Sequence, residues 1–475
     1  MAIVRHRWLR VWIVAAALGA MAFFFFPVTN FQFVSWDDQV HVYRNPIVLG
    51  NEAVSWHDRL LTPSLGYPIP VTILTYQLEH KLFDLDPRGF HATNVVLHLA
   101  SCLLLFILGR ALGLGFWGAF FSMMLFGLHP VVSEPVSWVS GRKDLLALFF
   151  SLGATLLVVT KGIFWKRLPT WAAAVLYLLA IFSKPTAVFL PLFWGAVFWF
   201  REKLSLRKTI LRLSPLFLIS ISVVTASLFG QSRLGSVQIP YSPFVWLREV
   251  WYGFGFHARL LFFVQAPLPK QMAEDMPPPF QMTVDLFPLL AITFLVLLMK
   301  LNKPPKGSAG HLGLWWGVLS YLPSSNLIPL TRFLADSYVY FPLVGFSLFF
   351  GDRFESFTPH FSKPLWRTLG LMFICSVFVL MAIRTTAAIL PWRDSVQLWQ
   401  AVYQKYPDRP YVCRFLGDAY GTMGDYHAAL LRYDTCGKIF GRDLVEEKIE
   451  LTRRLRDEHR PVEEILPGKL ADELR

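Results

Sequence analysis

An all-α, polytopic membrane protein of about 11 transmembrane helices, followed by a small helical tail, is what this sequence predicts. Three observations predict it. Hydrophobic residues fill 54% of the 475 positions and charged residues only 16%, whereas a soluble domain carries roughly 25% charged residues. The apolar residues fall in runs close to the length that crosses roughly 30 Å of hydrocarbon. Lysines and arginines gather in the short connections between alternate runs, the pattern of loops kept on the cytoplasmic side. The formal net charge of +13 is therefore read as topology and not as a nucleic-acid partner. The partner that the composition implies is the lipid bilayer.

The first apolar run, 9–28, follows Arg5, Arg7 and Arg10. A cleaved signal peptide has this order, but Phe23 to Phe26 and Pro27 stand where small cleavage-site residues would. The run is read as a retained signal anchor with its N-terminus in the cytoplasm. Further runs lie near 92–112, 114–132, 144–160, 169–183, 185–200, 213–230, 286–301, 311–329, 338–351 and 367–387. Alternation from an inside start puts Arg110, then Lys161, Lys166 and Arg167, then Arg201, Lys203, Arg207, Lys208 and Arg212 in successive inside loops. Lys300, Lys303 and Lys306, and then Arg353, Lys363 and Arg367, keep the same rule, so the C-terminus is expected outside. The membrane domain is expected over 1–390 and the tail over 391–475. Two outer loops are long. The loop 29–90 carries an amphipathic stretch at 71–83, and the loop 231–285 holds 246–263, interrupted by Arg248, Glu249, His257 and Arg259. That second stretch reads as an interfacial helix, or as a crossing helix that would invert everything after it. The later basic loops favour the first.

Polar residues that break these rules mark where chemistry is expected, because ionisable groups near the membrane are costly unless used. Ser35-Trp36-Asp37-Asp38 directly follows the signal anchor. Two adjacent acids there can hold a metal, act as a general base, or stay solvated. His91, Asn94 and His98 share one helical face, where a structural hydrogen-bonding role for His98 is favoured over ligation. Next come His129-Pro130, Glu134, and Gly141-Arg142-Lys143-Asp144; Lys184 stands between two apolar runs. Arg332, Asp336, Tyr338 and Tyr340 form a late outer cluster. Cations on the outer side run against the charge rule and need a reason. A lipid-linked phosphate supplies one, since Arg and Lys pair with phosphate oxygens; weak topogenic influence of single charges would account for one or two of them.

Taken in order, Trp36-Asp37-Asp38, Gly89-Phe90-His91 with Asn94 and His98, Leu128-His129-Pro130 through Glu134, Gly141-Arg142-Lys143-Asp144, and Ala335-Asp336-Ser337-Tyr338-Val339-Tyr340-Phe341-Pro342 resemble the transmembrane-and-tetratricopeptide-repeat O-mannosyltransferases and their bacterial relatives. Those are C-type membrane glycosyltransferases, and the resemblance covers nearly the whole chain. It implies a sugar, mannose in animals, carried on a polyprenyl phosphate and transferred, usually with inversion, to an acceptor hydroxyl on a protein or glycan. By that resemblance one acid of Asp37-Asp38 is the general base, Asp37 being favoured because it leads the motif, and Glu134 is a second acid. Arg142, Lys143, Lys184 and Arg332 are the cations implied to neutralise the leaving lipid phosphate. His91, Asn94, His129, Asp144, Asp336, Tyr338 and Tyr340 are the implied substrate contacts. Lys184 is followed by Pro185 where related families often show Lys-Glu. No acidic cluster demands a metal, although Asp37 and Asp38 could accept a divalent cation. A flippase for a lipid-linked glycan and a non-catalytic scaffold are the competing readings; a flippase would normally show inverted repeats and broken mid-bilayer helices.

After Pro391 the composition turns soluble. Leu416-Gly417-Asp418-Ala419-Tyr420 with Gly424, Tyr426, Ala429 and Tyr433 matches one tetratricopeptide unit, fewer than the roughly three that stack stably alone. The tail is therefore expected to pack on the membrane domain, either docking an acceptor or protein partner or capping the fold. Cys413 and Cys436 fall early in the first helix and late in the second, where antiparallel pairing would let them form a disulfide in an oxidising compartment. The segment from Glu446 reads as a solvated surface helix. Without an Asn-x-Ser/Thr sequon in the chain, a bacterial inner membrane with a periplasmic C-terminus is expected, with the endoplasmic reticulum as the alternative.

Overall fold

A computed structural model describes residues 2–50, 55, 63–163, 168–233, 242–262, 304–328, 332–357 and 364–457, with scattered positions between 288 and 300. Among the described residues the chain is helices and turns, and the one extended pairing is an isolated bridge between Ser64 and Tyr67. The expected all-α membrane class is what the structure has. In chain order the helices are α1 (Ala2–Phe25), α2 (Pro70–Phe83), α3 (Pro87–Ala111), α4 (Phe116–Leu128), α5 (Ser133–Ser137) and α6 (Arg142–Lys161). Then follow α7 (Leu168–Ser183), α8 (Leu190–Phe200), α9 (Leu206–Arg233), α10 (Pro243–Phe262), α11 (Ala309–Tyr321), α12 (Tyr340–Phe357) and α13 (Pro364–Ile389). The tail contributes α14 (Ser395–Lys405), α15 (Pro410–Thr422), α16 (Tyr426–Phe440) and α17 (Glu446–Asp457).

The expected apolar runs fall on helices, apart from the run near 286–301, which lies largely outside the described residues. Among the described residues five stretches are long and apolar enough to cross a membrane: Trp8–Asn30, Pro87–Ala111, Val139–Lys161, Leu206–Arg233 and Pro364–Arg393. Other runs are broken. The run read as a single span at 114–132 stops as a helix at Leu128, and the chain bends by 52° before continuing through Pro130–Ser137. Pro130 has no N–H to donate and pushes the residue before it out of the helical region, so His129 is extended. Likewise α11 ends at Tyr321 ahead of Pro323, and 338–351 begins as a single turn, Asp336–Val339, before α12. At 13 residues each, α4 and α11 are about 20 Å long. Their broken ends supply non-helical backbone, tolerated at membrane depth only where protein covers it.

Close helix packing holds this bundle. The backbones of α11 and α12 touch at Gly313 and Gly345, where a Cβ on Gly345 would strike the Gly313 carbonyl. Helix α10, carrying Arg248, Glu249 and Arg259, is not among the stretches apolar enough to cross. It buries Gly253, Phe256, His257 and Leu260, and His257 bonds both Tyr321 (3.0 Å) and the Ala335 carbonyl (3.1 Å). In the tail, Cys413 and Cys436 form a disulfide between α15 and α16, with Cα atoms 5.9 Å apart. Trp392, Leu398, Trp399 and Val402 belong to the same buried apolar cluster as α3, α6 and α12, so the start of the tail is continuous with the core of the membrane bundle.

Candidate functional site

The site begins where α1 ends. After a single turn over Phe26–Asn30 the chain runs extended to Trp36 and then enters a short π-helical turn, Gln39–Tyr43. The two adjacent acids before that turn have opposite surroundings. Asp38 is wholly buried and accepts three hydrogen bonds, from the Val34 N–H (3.0 Å), the Ser140 N–H (2.9 Å) and the Ser140 hydroxyl (2.5 Å). It latches the chain after α1 to the turn before α6. That turn sits close to α5 because residue 141 is glycine; a Cβ there would collide with the Pro135 carbonyl. Burial pushes the Asp38 carboxyl up to about 6, the Ser140 and Val34 hydrogen bonds opposing and the Asp37 charge adding. Asp37 instead meets the Lys143 ammonium at 3.2 Å. Burial alone would raise its carboxyl, but Lys143, His41 and Arg332 together hold it below its ordinary value.

Three cations with ionic partners close a ring around this acid. Lys143 pairs with Asp37, Lys184 with Asp144 at 2.6 Å, and Arg332 with both oxygens of Glu134 at 2.7 and 3.2 Å. Lys143 lies over the Trp138 ring (5.1 Å), Trp138 stacks on Trp36 (5.1 Å), and Arg332 lies over Trp36 (5.0 Å). The Tyr338 hydroxyl donates to the Arg332 carbonyl (2.6 Å), and Lys184 faces the Tyr338 ring at 6.0 Å. Since Asp144 adjoins Lys143 in α6, the circuit returns to its start. The side chains of Asp37, Lys143, Lys184 and Arg332 keep 20%, 18%, 17% and 22% of their surface exposed, whereas Asp144 and Glu134 keep 3% and 1%. Asp336 lies behind, buried, with Oδ1 lacking a hydrogen-bond partner. Burial, with Glu134's charge adding, holds its carboxyl well above the usual range.

Arg142 has no such exposure. It is fully enclosed and spends its donors on Glu79 (2.9 Å), Asn94 (2.5 Å) and the Phe90 carbonyl (2.7 Å), with its guanidinium over Tyr76. Each guanidinium nitrogen of Arg142 therefore has a partner inside the protein, and the side chain has no exposed surface. Several residues expected to touch substrate are likewise used by the scaffold. Asn94 donates to the Trp138 carbonyl (2.8 Å) while accepting from Arg142. His91 meets the Gln32 carbonyl at 3.4 Å, and His129 lies between the Val131 N–H and the Leu261 carbonyl, 3.3 Å from each. Tyr340 bonds His98 (3.1 Å), whose other nitrogen meets the Gly127 carbonyl, which agrees with the structural role expected for His98.

A metal does not fit the paired acids. Asp38 faces N–H and O–H donors with both oxygens and Asp37 faces an ammonium, so the two carboxylates do not converge on a cation. Among the described residues no group of three or more His, Cys, Asp or Glu side chains is placed to hold one.

Sequence reasoning missed the tail's part in the site. The Ser395 hydroxyl accepts the Ser35 N–H (2.8 Å), the Trp399 indole donates to the Ser35 carbonyl (3.4 Å), and Gln32 donates to the Arg393 carbonyl (2.9 Å). Trp36 and Trp138 both stack on Trp392. No local pattern marks these pairings. His41, four residues after Asp37, was also missed; its place in the turn directly after the paired acids was the available signal.

Among curated proteins, the chain is 24% identical to a protein O-mannosyl-transferase of Caenorhabditis elegans across 82% of its own length. It is 25% identical to one of Drosophila melanogaster across 94%, and 32% identical to one of Mus musculus across a 123-residue stretch covering 25% of this chain and 13% of that protein. The alignments take in 57% and 61% of the first two relatives, so the chain spans about three-fifths of their length. No protein-family profile and no solved structure matches it.

Proposed function

We propose, from the premise that this chain is a relative of the protein O-mannosyl-transferases, that it transfers a sugar from a polyprenyl-phosphate carrier to an acceptor hydroxyl at the non-cytoplasmic face of its membrane. The observation that carries this reading is the ring of three partly exposed cations, Lys143, Lys184 and Arg332, around the single partly exposed acid Asp37. A base beside a cluster of phosphate-binding donors is what displacement of a lipid phosphate from a sugar requires.

In this scheme the acceptor hydroxyl gives its proton to Asp37 as its oxygen bonds to the anomeric carbon. The bond from that carbon to the phosphate oxygen breaks, and the electron pair leaves on the polyprenyl phosphate. A single displacement inverts the anomeric centre. Lys143 is next to both the base and the departing charge, and Lys184 and Arg332 complete the positive rim. Asp38 keeps Asp37 in place without touching substrate, because its oxygens are occupied. Glu134 holds Arg332 in its fork and orients it, a positioning role for the second acid.

Two features support this side of the membrane. The Cys413–Cys436 disulfide suits an oxidising compartment, and the tail that carries it touches the Ser35–Trp36 loop directly. The distribution of basic loops supports the same side for that loop, opposite the cytoplasm. In a bacterial inner membrane this face is periplasmic; in the endoplasmic reticulum it is luminal.

The test is turnover of a panel of undecaprenyl-phosphate sugars by the reconstituted full chain, with Asp37→Asn as the control. Turnover of one donor is expected, falling by about 10²–10⁴-fold in the variant with unchanged thermal stability. Equal turnover by Asp37→Asn would remove Asp37 as the base. A wild type that neither binds nor turns over any donor would favour the scaffold reading.

A further inference from the structure

The turn directly after the paired acids carries a histidine for which the transfer scheme has no use. His41 lies in the π-helical turn Gln39–Tyr43, a backbone form that occurs mostly as single turns at functional sites. Its side chain is 2% exposed, yet among the described residues neither Nδ1 nor Nε2 has a hydrogen-bond partner. Among the other buried histidines, His98, His129 and His257 each use both ring nitrogens and His91 uses one. A buried polar side chain with every polar atom unmatched is rare in a finished core, because desolvation is then uncompensated. Such a residue is expected where a ligand supplies the missing partners.

The neighbours narrow that ligand's chemistry. The charged groups that act on His41 are the Lys143 ammonium, from α6, and the Asp37 carboxylate, from just before its own turn. Burial pushes the imidazole down to about 3, with Lys143 acting in the same direction and Asp37 opposing. The ring is therefore neutral at physiological pH and offers one donor and one acceptor, the complement of a hydroxyl, which also has one of each. Beside His41, Lys143 is a cation of the proposed phosphate site and Asp37 is the base at the anomeric centre. Between a phosphate and its base lies the sugar.

We propose that His41 is a sugar-binding residue, its imidazole hydrogen-bonding a ring hydroxyl of the lipid-borne sugar and holding that ring against Asp37. This assignment rests on the transferase reading above. It makes discrimination between sugar-bearing and bare lipid phosphate a property of the turn that directly follows the base.

The experiment compares equilibrium binding of undecaprenyl phosphate, bare or bearing mannose, glucose, galactose or N-acetylglucosamine, to the full chain in nanodiscs. Binding is read by intrinsic tryptophan fluorescence, for wild type, His41→Phe and His41→Gln. Wild type is expected to prefer one sugar-bearing lipid. His41→Phe is expected to lose about tenfold of that preference, the scale of one missing hydrogen bond, while binding the bare lipid as wild type does. His41→Gln, which keeps a donor and an acceptor, is expected to retain most of it. Undiminished preference in His41→Phe would overturn the assignment, and so would equal weakening toward bare and sugar-bearing lipid with a lowered Tm in both variants, the signature of packing alone. A wild type that binds bare lipid phosphate but no sugar form better would instead overturn the transferase reading on which it stands.

Discussion

At the scale of single residues, Asp37 and Asp38 differ by one position and by everything around them. Asp38 is sealed by three donors from Val34 and Ser140, whereas Asp37 faces Lys143 and stays partly exposed. The pair was legible in the sequence as two acids at a helix exit. Which one can act as a base depends on which faces the backbone of the turn before α6, and sequence spacing does not carry that. The difference has a consequence for stability. Folding raises the Asp38 carboxyl from 3.8 to about 6, so the folded state holds this proton more tightly than the unfolded chain. Its stabilising contribution is complete below about pH 4 and is lost as the pH rises through about 6. Asp38→Asn does not titrate, so the fall in Tm between pH 4 and pH 7 should be shallower in the variant. Its amide also sets N–H against N–H, costing about 1–3 kcal/mol at all pH values. Melting curves with equal pH slopes for both proteins would refute this account.

Whole elements are positioned by buried polar clamps as much as by apolar packing. Arg142 at the start of α6 ties α2 through Glu79 and α3 through Asn94 and Phe90. Next to it in sequence, Lys143 stays partly exposed beside Asp37. Adjacent helix positions face about 100° apart, so one cation of the pair goes to the fold and the other to the site. From sequence both looked alike, two cations on the wrong side of the membrane. Their replacement should separate them. Arg142→Met leaves Glu79 buried without its partner and should cost about 3–5 kcal/mol. Lys143→Met removes a partly exposed pair and should cost below about 1 kcal/mol while weakening donor binding. Thermal unfolding of the two variants in one detergent checks the contrast, and similar losses in both would erase it.

Over the whole molecule, the tail belongs to the site. Its first helix, α14, grips the Ser35–Trp36 loop, and Trp36, Trp138, Trp392 and Trp399 pack there as one aromatic group. Helices α15 and α16 fall where the tetratricopeptide-like unit is expected, and they follow α14, which packs on the bundle. Tail and site must therefore lie on one side of the membrane. In a Cys375→Ala background, Met423→Cys in the tail should react with an impermeant maleimide from the non-cytoplasmic side. Lys203→Cys, in the loop between α8 and α9, should react only after permeabilisation. The reverse pattern would invert the orientation argued from the basic loops.

The sequence by itself determined what depends on neighbouring positions: apolar runs long enough to be helices, a basic-loop alternation and the motifs in which the polar residues stand; the 114–132 run reads as one span, and its break at Pro130 emerges only in the structure. It did not determine which of those polar residues are scaffold and which are site. Asp37 meets Lys143 across 106 positions, Arg332 meets Glu134 across 198, and Ser35 meets Ser395 across 360. The tertiary structure alone decided that Arg142, Asn94 and His129 are consumed internally while Lys143, Lys184 and Arg332 remain partly open. The physical reason is that hydropathy and helix periodicity are local averages. Whether a buried ion is satisfied depends on the partners that distant helices bring to it.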